Sequence, residues 1–85
     1  MRVKAQVPLD RLERDGRVVA LYESHLVELG ALGDAVVAAA SDWIEESALA
    51  DLLVAEFGAP TVGSASDVLE TVLADLAAHG VILRG

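Results

Sequence analysis

The apolar residues of this chain change their spacing once, near Gly30, and the change separates two kinds of secondary structure. Before Gly30 they alternate with polar residues, the period of two expected of a half-buried strand. From Ala31 onward they recur every three or four residues, which places them on one face of a helix. The sequence therefore predicts an α+β protein in which the strands precede the helices.

Three segments before Gly30 are predicted to be strands, over residues 3–7, 17–22 and 25–29. The first alternates apolar and polar side chains, and the second is rich in apolar and β-branched residues. Asp15-Gly16 indicates a hairpin turn before the second strand, because a type I′ turn requires positive φ at both central positions. We therefore predict a three-stranded antiparallel meander in the N-terminal third.

Three helices are predicted after Gly30, over residues 31–41, 46–57 and 66–79. The core face of the second is expected to hold Leu49, Leu52, Leu53 and Phe57. Gly58 is expected to end this helix. The third helix is expected to begin with a capping box formed by Asp67 and Glu70. The apolar run over residues 81–83 is expected to pack back on the sheet.

Length and composition limit the chain to one domain over residues 1–85. It has 85 residues, 54% of them hydrophobic, and no cysteine. A domain this small buries about 60% of the surface of its unfolded chain, so most large apolar side chains must share one core. A deep active-site cleft has no room to form. The lack of cysteine, of a signal-peptide pattern and of a run of about 20 apolar residues predicts a cytoplasmic protein with no membrane partner.

The charge of the chain is unevenly distributed. The net charge is −8, yet five of the six basic residues lie in the first 17 positions, and residues 18–83 contain no lysine or arginine. Nucleic-acid binding requires cations that neutralise phosphates, so the predicted helices would repel DNA and RNA. We expect no nucleic-acid partner.

No group of residues has the spacing of a catalytic or metal-binding site. His25 and His79 lack a cysteine or a nearby histidine partner, and Ser24 and His25 point to opposite faces of a strand. No glycine-rich phosphate loop occurs. The single Trp43 is interpreted as a core or interface residue. We predict a protein that is not an enzyme, with no catalytic residues, no metal and no cofactor.

The third predicted strand is a candidate binding site. An edge strand presents unpaired N–H and C=O groups, and residues 25–29 contain no proline and only one acidic residue. If the third helix lies beside this edge, the two form a groove for an extended peptide. The candidate binding residues are His25, Leu26, Val27, Glu28, Leu29, Val68, Thr71, Val72 and Asp75. The alternative, that the chain's own helix covers the strand, stays open at this point.

The order of these elements resembles the PqqD-like family of peptide-binding domains, also called RiPP recognition elements. Residues 16–22, Gly-Arg-Val-Val-Ala-Leu-Tyr, look like the second strand of the family, and residues 25–30, His-Leu-Val-Glu-Leu-Gly, look like its third strand. Residues 67–82 are similar to its terminal helix and the apolar ending that follows it. The resemblance covers residues 3–83, and its motifs are patterns of apolar positions.

The resemblance implies a fold and a function. The fold is a winged helix-turn-helix-like domain, with the N-terminal meander followed by three helices. The function is to capture the leader segment of a ribosomally synthesised precursor peptide by β-strand addition. The domain would then deliver that peptide to a maturation enzyme such as a radical enzyme, a cyclodehydratase or a leader peptidase. Both a monomer and a homodimer are compatible with it.

Three other function classes fit parts of the sequence. A winged-helix transcription regulator has a compatible helix order, but its recognition helix would need cations that the third helix lacks. An acyl carrier protein has similar size and acidity, but it is all-helical and requires an Asp-Ser-Leu attachment site that is absent here. A generic protein-interaction or toxin-neutralising module has no distinguishing motif and stays an open alternative.

Overall fold

A computed structural model describes the whole chain, from Met1 to Gly85. Its elements are β1 (Arg2–Ala5), β2 (Asp10–Arg14), β3 (Arg17–Leu21), β4 (Leu26–Leu29), α1 (Ala31–Ala39), β5 (Ile44–Glu45), α2 (Glu46–Phe57), α3 (Ala65–Ala78) and β6 (Ile82–Arg84). The strands form two antiparallel sheets of three strands, in the orders β5-β1-β6 and β2-β3-β4. The predicted α+β class is confirmed.

The meander exists, but its first strand is not the one predicted. Residues 3–7 were expected to pair with the next predicted strand, whereas the partner of β3 is β2. All five β2 residues are exposed, so β2 lacks the apolar alternation that identifies a strand in a sequence. The predicted turn is confirmed, since Asp15 and Gly16 have φ of 54° and 77° and join β2 to β3.

The strand near the N-terminus belongs instead to the second sheet. There β1 lies between β5 and β6, and Val3 pairs with both Ile44 and Arg84. Backbone hydrogen bonds of 2.8 and 2.9 Å join Arg2 and Gly85. The terminal apolar run therefore packs on a sheet as predicted, but on β1 rather than on the meander.

The helices lie close to their predicted positions, and α3 begins differently. Ser64 is its N-cap, and the Ser64 side chain accepts a 3.1 Å hydrogen bond from the backbone N–H of Asp67. The predicted capping box of Asp67 and Glu70 is therefore wrong. The second helix has its predicted bounds and stops at Gly58, where φ is 83°. The first helix ends at Ala39, two residues earlier than predicted.

One apolar core holds the two sheets and three helices together. Val3, Val36, Leu49, Leu73 and Val81 are fully buried in it. The predicted core positions of two α2 residues are wrong, because Leu52 is 51% and Phe57 46% exposed. Only the side of α2 that carries Leu49 and Ala50 is covered by the rest of the chain. Trp43 is also exposed, and the Arg2 guanidinium lies 5.4 Å from its ring centroid.

Arg84, the only basic residue after position 17, joins β6 to α2 and α3. Its guanidinium donates to Glu46 at 3.1 and 3.2 Å and to Glu70 at 2.6 and 3.1 Å. Hydrogen bonding to Glu70 raises the pKa of Arg84, and the Arg84 bond lowers the pKa of Glu70. This cluster fastens the last strand to both helices.

We expect Arg84→Ala to lower the free energy of unfolding by about 2 kcal/mol at neutral pH, since it removes charge-assisted bonds and leaves Glu46 without a cation. The folded-state pKa of Glu70 is depressed, so the stability it contributes is present above its unfolded pKa and is lost as pH falls through its folded pKa. The difference in unfolding free energy between variant and parent should therefore become smaller in acid. Urea unfolding at several pH values measures it. Arg17→Ala is the control, because the 3.6 Å Arg17–Glu28 pair is exposed. An equal loss of unfolding free energy in both variants would contradict the stabilising role of the Arg84 cluster.

Candidate functional site

The strand β4 has one open edge. It pairs with β3 on one side and with no strand on the other. Its side chains alternate, so Val27 and Leu29 are buried whereas Leu26 and Glu28 are exposed. The candidate strand identified in the sequence is therefore at the edge of its sheet.

The hydrogen-bond pattern shows which backbone groups face this open edge. Tyr22 and His25 close the β3–β4 hairpin with reciprocal N–H···O bonds of 2.9 and 3.4 Å. Hydrogen-bonded and non-hydrogen-bonded pairs alternate along an antiparallel ladder. In the observed register the next hydrogen-bonded pairs are Ala20–Val27 and Val18–Leu29. The N–H and C=O groups of Leu26 and Glu28 therefore point away from β3, toward the open edge.

A groove of about 680 Å³ separates this edge from α3, and we name it the β4–α3 groove. The start of α1 closes it, with Leu32 and Gly33 among the lining residues. Most of the candidate binding residues line it, namely Leu26, Val27, Glu28, Leu29, Thr71, Val72 and Asp75. The structure thus brings together two segments that lie more than 40 positions apart in the sequence.

Val68, the remaining candidate from α3, is not among the residues that line the groove. It lines a separate apolar cavity of about 180 Å³ between α2 and α3, together with Leu53 and Phe57. The first turns of α3 pack against α2, and the helix reaches β4 only from Thr71 onward. Leu32 lines both spaces and was not predicted as a site residue, because an apolar residue at helical spacing carries no sign of a binding role.

His25 lies at the end of the groove rather than in its lining. Its Nε2 is 2.6 Å from the carbonyl oxygen of His79, at the end of α3, and its Nδ1 is 3.1 Å from the Ser24 hydroxyl. The prediction that Ser24 and His25 point to opposite faces of a strand is therefore wrong, because both lie in the turn before β4, where adjacent side chains need not alternate. The ring stacks on Tyr22 with centroids 5.7 Å apart. Burial raises the pKa of the Tyr22 phenol. The His25 side chain thus ties the start of β4 to the end of α3 and sets one limit of the groove.

The groove is apolar inside and acidic at its rim. Val72 and Leu76 contribute apolar surface from α3, whereas Glu28 and Asp75 contribute carboxylates from opposite walls. No lysine or arginine lines it. Glu28 lies 3.6 Å from the Arg17 guanidinium, and Asp75 lies 3.5 Å from the His79 imidazole, which is a cation only when protonated. The arrangement can accept an extended chain on one side and apolar or cationic side chains within.

The structure holds neither a cluster of metal-ligating side chains nor a helix that could span a membrane. No three His, Cys, Asp or Glu side chains lie close enough together to hold a metal ion. None of the helices combines the length and the apolar character needed to cross a membrane.

Comparison of the chain with protein-family models, curated proteins and solved structures found no match.

Proposed function

We propose that this protein is a PqqD-like, non-catalytic peptide-binding domain that captures the leader segment of a ribosomally synthesised precursor peptide. The observation that supports this proposal is the open edge of β4 facing α3 across the β4–α3 groove. A bound leader would add a fourth strand beside β4, so the meander would continue into the ligand. The winged helix-turn-helix-like arrangement is part of the same proposal, with the β2–β3 hairpin as the wing.

The backbone of the edge supplies only part of the binding free energy. Leu26 and Glu28 each offer one N–H and one C=O group, and four such bonds at about 1 kcal/mol each correspond to millimolar affinity. A buried apolar side chain adds about 1.5 to 3 kcal/mol. Micromolar binding requires about 4.1 kcal/mol more than millimolar binding, so two or three apolar leader residues must pack against Val72 and Leu76. This division assigns affinity to the strand and selectivity to the groove.

The domain is proposed to deliver the precursor rather than to modify it. Its role is to raise the local concentration of the core segment at a radical enzyme, cyclodehydratase or leader peptidase. Incubation of the precursor with this domain alone is expected to leave the precursor mass unchanged in mass spectrometry. Modification without a maturation enzyme would contradict the proposal.

A titration with isotope-labelled protein tests the proposed site. The probe is a synthetic leader peptide taken from a short precursor gene adjacent to the gene for this protein, and the control is a scrambled peptide of the same composition. We expect backbone amide shifts at residues 26–29 and 71–76 with the leader alone. Shifts confined to other surfaces, or equal shifts with both peptides, would contradict leader binding in the groove.

The groove predicts a preference for charge. Because Glu28 and Asp75 flank it, a leader with lysine or arginine near its docking segment should bind more tightly than a neutral one. We expect Asp75→Asn to weaken binding of such a leader by about two- to fivefold, the range of one exposed ion pair, and added salt to reduce the difference. Asp51→Asn, an exposed acid on α2 outside the groove, is the matched control. Affinity that is independent of salt and of Asp75 would refute the charge preference and leave the strand site standing.

The alternatives differ in what the groove binds. A winged-helix transcription regulator would place α3 in a DNA groove, where Asp67, Glu70 and Asp75 would repel phosphates. A generic protein-interaction module would use the same edge for a different peptide. The leader titration separates these two from the proposed function, since each predicts no selective binding of the leader.

A further inference from the structure

The opposite edge of the meander, β2, is also open, and its sequence has an unusual symmetry. The strand Asp10-Arg11-Leu12-Glu13-Arg14 carries the charge order negative, positive, apolar, negative, positive. When the strand is reversed about Leu12, every charge falls on a position of opposite charge. All five residues are exposed, and Leu12 is 64% exposed.

We propose that β2 pairs antiparallel with β2 of a second copy of this chain, about a twofold axis at Leu12. Asp10 then faces the partner subunit's Arg14, and Arg11 faces the partner subunit's Glu13. Leu12 faces the partner subunit's Leu12 and covers it. Opposite charges across neighbouring strands stabilise the pair, and like charges directly opposite destabilise it.

The charge order selects this one register. A twofold axis moved to Arg11 would bring two arginines face to face, and an axis at Glu13 would do the same with two glutamates. Only the axis at Leu12 gives attractive pairs at all four charged positions. A two-fold contact between identical surfaces closes on itself and yields a dimer rather than a fibre.

The backbone of β2 has the geometry that this register requires. Val18 and Ala20 bond to β4, so the alternate β3 residues bond to β2, and their partners are Asp10, Leu12 and Arg14. The N–H and C=O groups of Arg11 and Glu13 therefore face outward. In the proposed pair these two residues are opposite each other across the axis, so four backbone hydrogen bonds can form.

Existing contacts of Arg11 bear on the pairing. Its guanidinium already lies 3.6 Å from Glu13 and 2.9 Å from Asp34 of its own chain, so the partner subunit's Glu13 would join these carboxylates. The Arg11 N–H now donates to the Asp10 carboxylate at 2.8 Å, which shows that this group faces out of the sheet. Pairing would transfer the N–H to the partner subunit's Glu13 carbonyl and release Asp10 to contact the partner subunit's Arg14. Arg14 forms no ion pair within its own chain.

The dimer would leave the proposed peptide site free. Joining two β2 edges makes a continuous six-stranded sheet with a β4 strand at each end, so both β4–α3 grooves stay open. A contact of two five-residue strands buries less than the roughly 1,200 Å² of a stable complex. We therefore expect a weak dimer, with a dissociation constant on the order of 0.1 mM. Dimerisation through β2 does not depend on what the groove binds.

Sedimentation velocity between about 10 μM and about 1 mM, a range that brackets this constant, tests the proposal with a pair of charge reversals. In the Asp10→Arg homodimer, arginine faces arginine at both outer pairs. In the Arg14→Asp homodimer, aspartate faces aspartate at the same two pairs. Each variant alone should stay monomeric. An equimolar mixture should dimerise, because each subunit then meets the opposite charge in the other.

Positions 10 and 14 suit this experiment because they lie on the exposed face of β2. Positions 11 and 13 do not, since Arg11 is bonded to Asp34 of α1 at 2.9 and 3.2 Å. Asp51→Arg, which changes the net charge as Asp10→Arg does but lies on α2, should dimerise like the parent. A parent that stays monomeric up to about 1 mM, variants that dimerise as the parent does, or a mixture that stays monomeric would each overturn the proposal.

Discussion

Glu28→Pro is expected to abolish most leader binding while leaving the domain folded. The Glu28 N–H points away from β3, so proline removes no bond of the sheet, and an edge strand accommodates proline at such a position. The bound leader, however, loses a donor and meets the proline ring. We expect affinity to fall at least tenfold, which corresponds to about 1.4 kcal/mol.

Fluorescence anisotropy with a labelled leader, alongside circular dichroism, measures this effect. Glu28→Ala keeps the N–H and should bind within a fewfold of the parent, so it separates backbone pairing from charge. Val27→Pro is the contrasting variant, because it deletes a bond of the Ala20–Val27 pair and is expected to destabilise the domain itself. A folded Glu28→Pro variant with the affinity of the parent would exclude the edge of β4 as the site.

Leu49→Ala is expected to lower the free energy of unfolding by about 3 kcal/mol, whereas Leu52→Ala on the same helix should lower it by less than about 1 kcal/mol. Leu49 is fully buried, so truncation leaves a cavity, while the exposed Leu52 loses little contact. A domain of this size has a total stability of about 5 to 10 kcal/mol, so the first change removes a large part of it. Urea unfolding of the two variants measures the difference, and equal losses would contradict the observed orientation of α2.

The sequence predicted most of the secondary structure, because its signals act over a few residues. The helical spacing after Gly30, the stop at Gly58 and the turn at Asp15-Gly16 depend on backbone geometry and on neighbours within one or two turns. The strand β2 was not predicted, because its own residues carry no such local signal. None of its side chains is buried, so only its backbone bonds to β3 make it a strand.

The sequence also predicted most of the residues of the candidate site, but it did not predict how these residues come together in space. The sequence identified residues 26–29 as an edge without proline and the third helix as an acidic amphipathic helix. It did not show where the helix passes the strand. That place depends on the packing of α3 against α2, which puts Val68 in another cavity and Thr71, Val72 and Asp75 in the groove.

The sequence by itself determined the fold class, the turn, the three helices and the acidic, apolar character of the chain. Only the tertiary structure decided which strands pair, which face of α2 is covered and which edges of the meander stay open. The division has a physical reason. Periodicity and turn chemistry report the conformation of a residue and its near neighbours, whereas pairing and burial join residues such as Val3 and Arg84 that lie far apart in the chain.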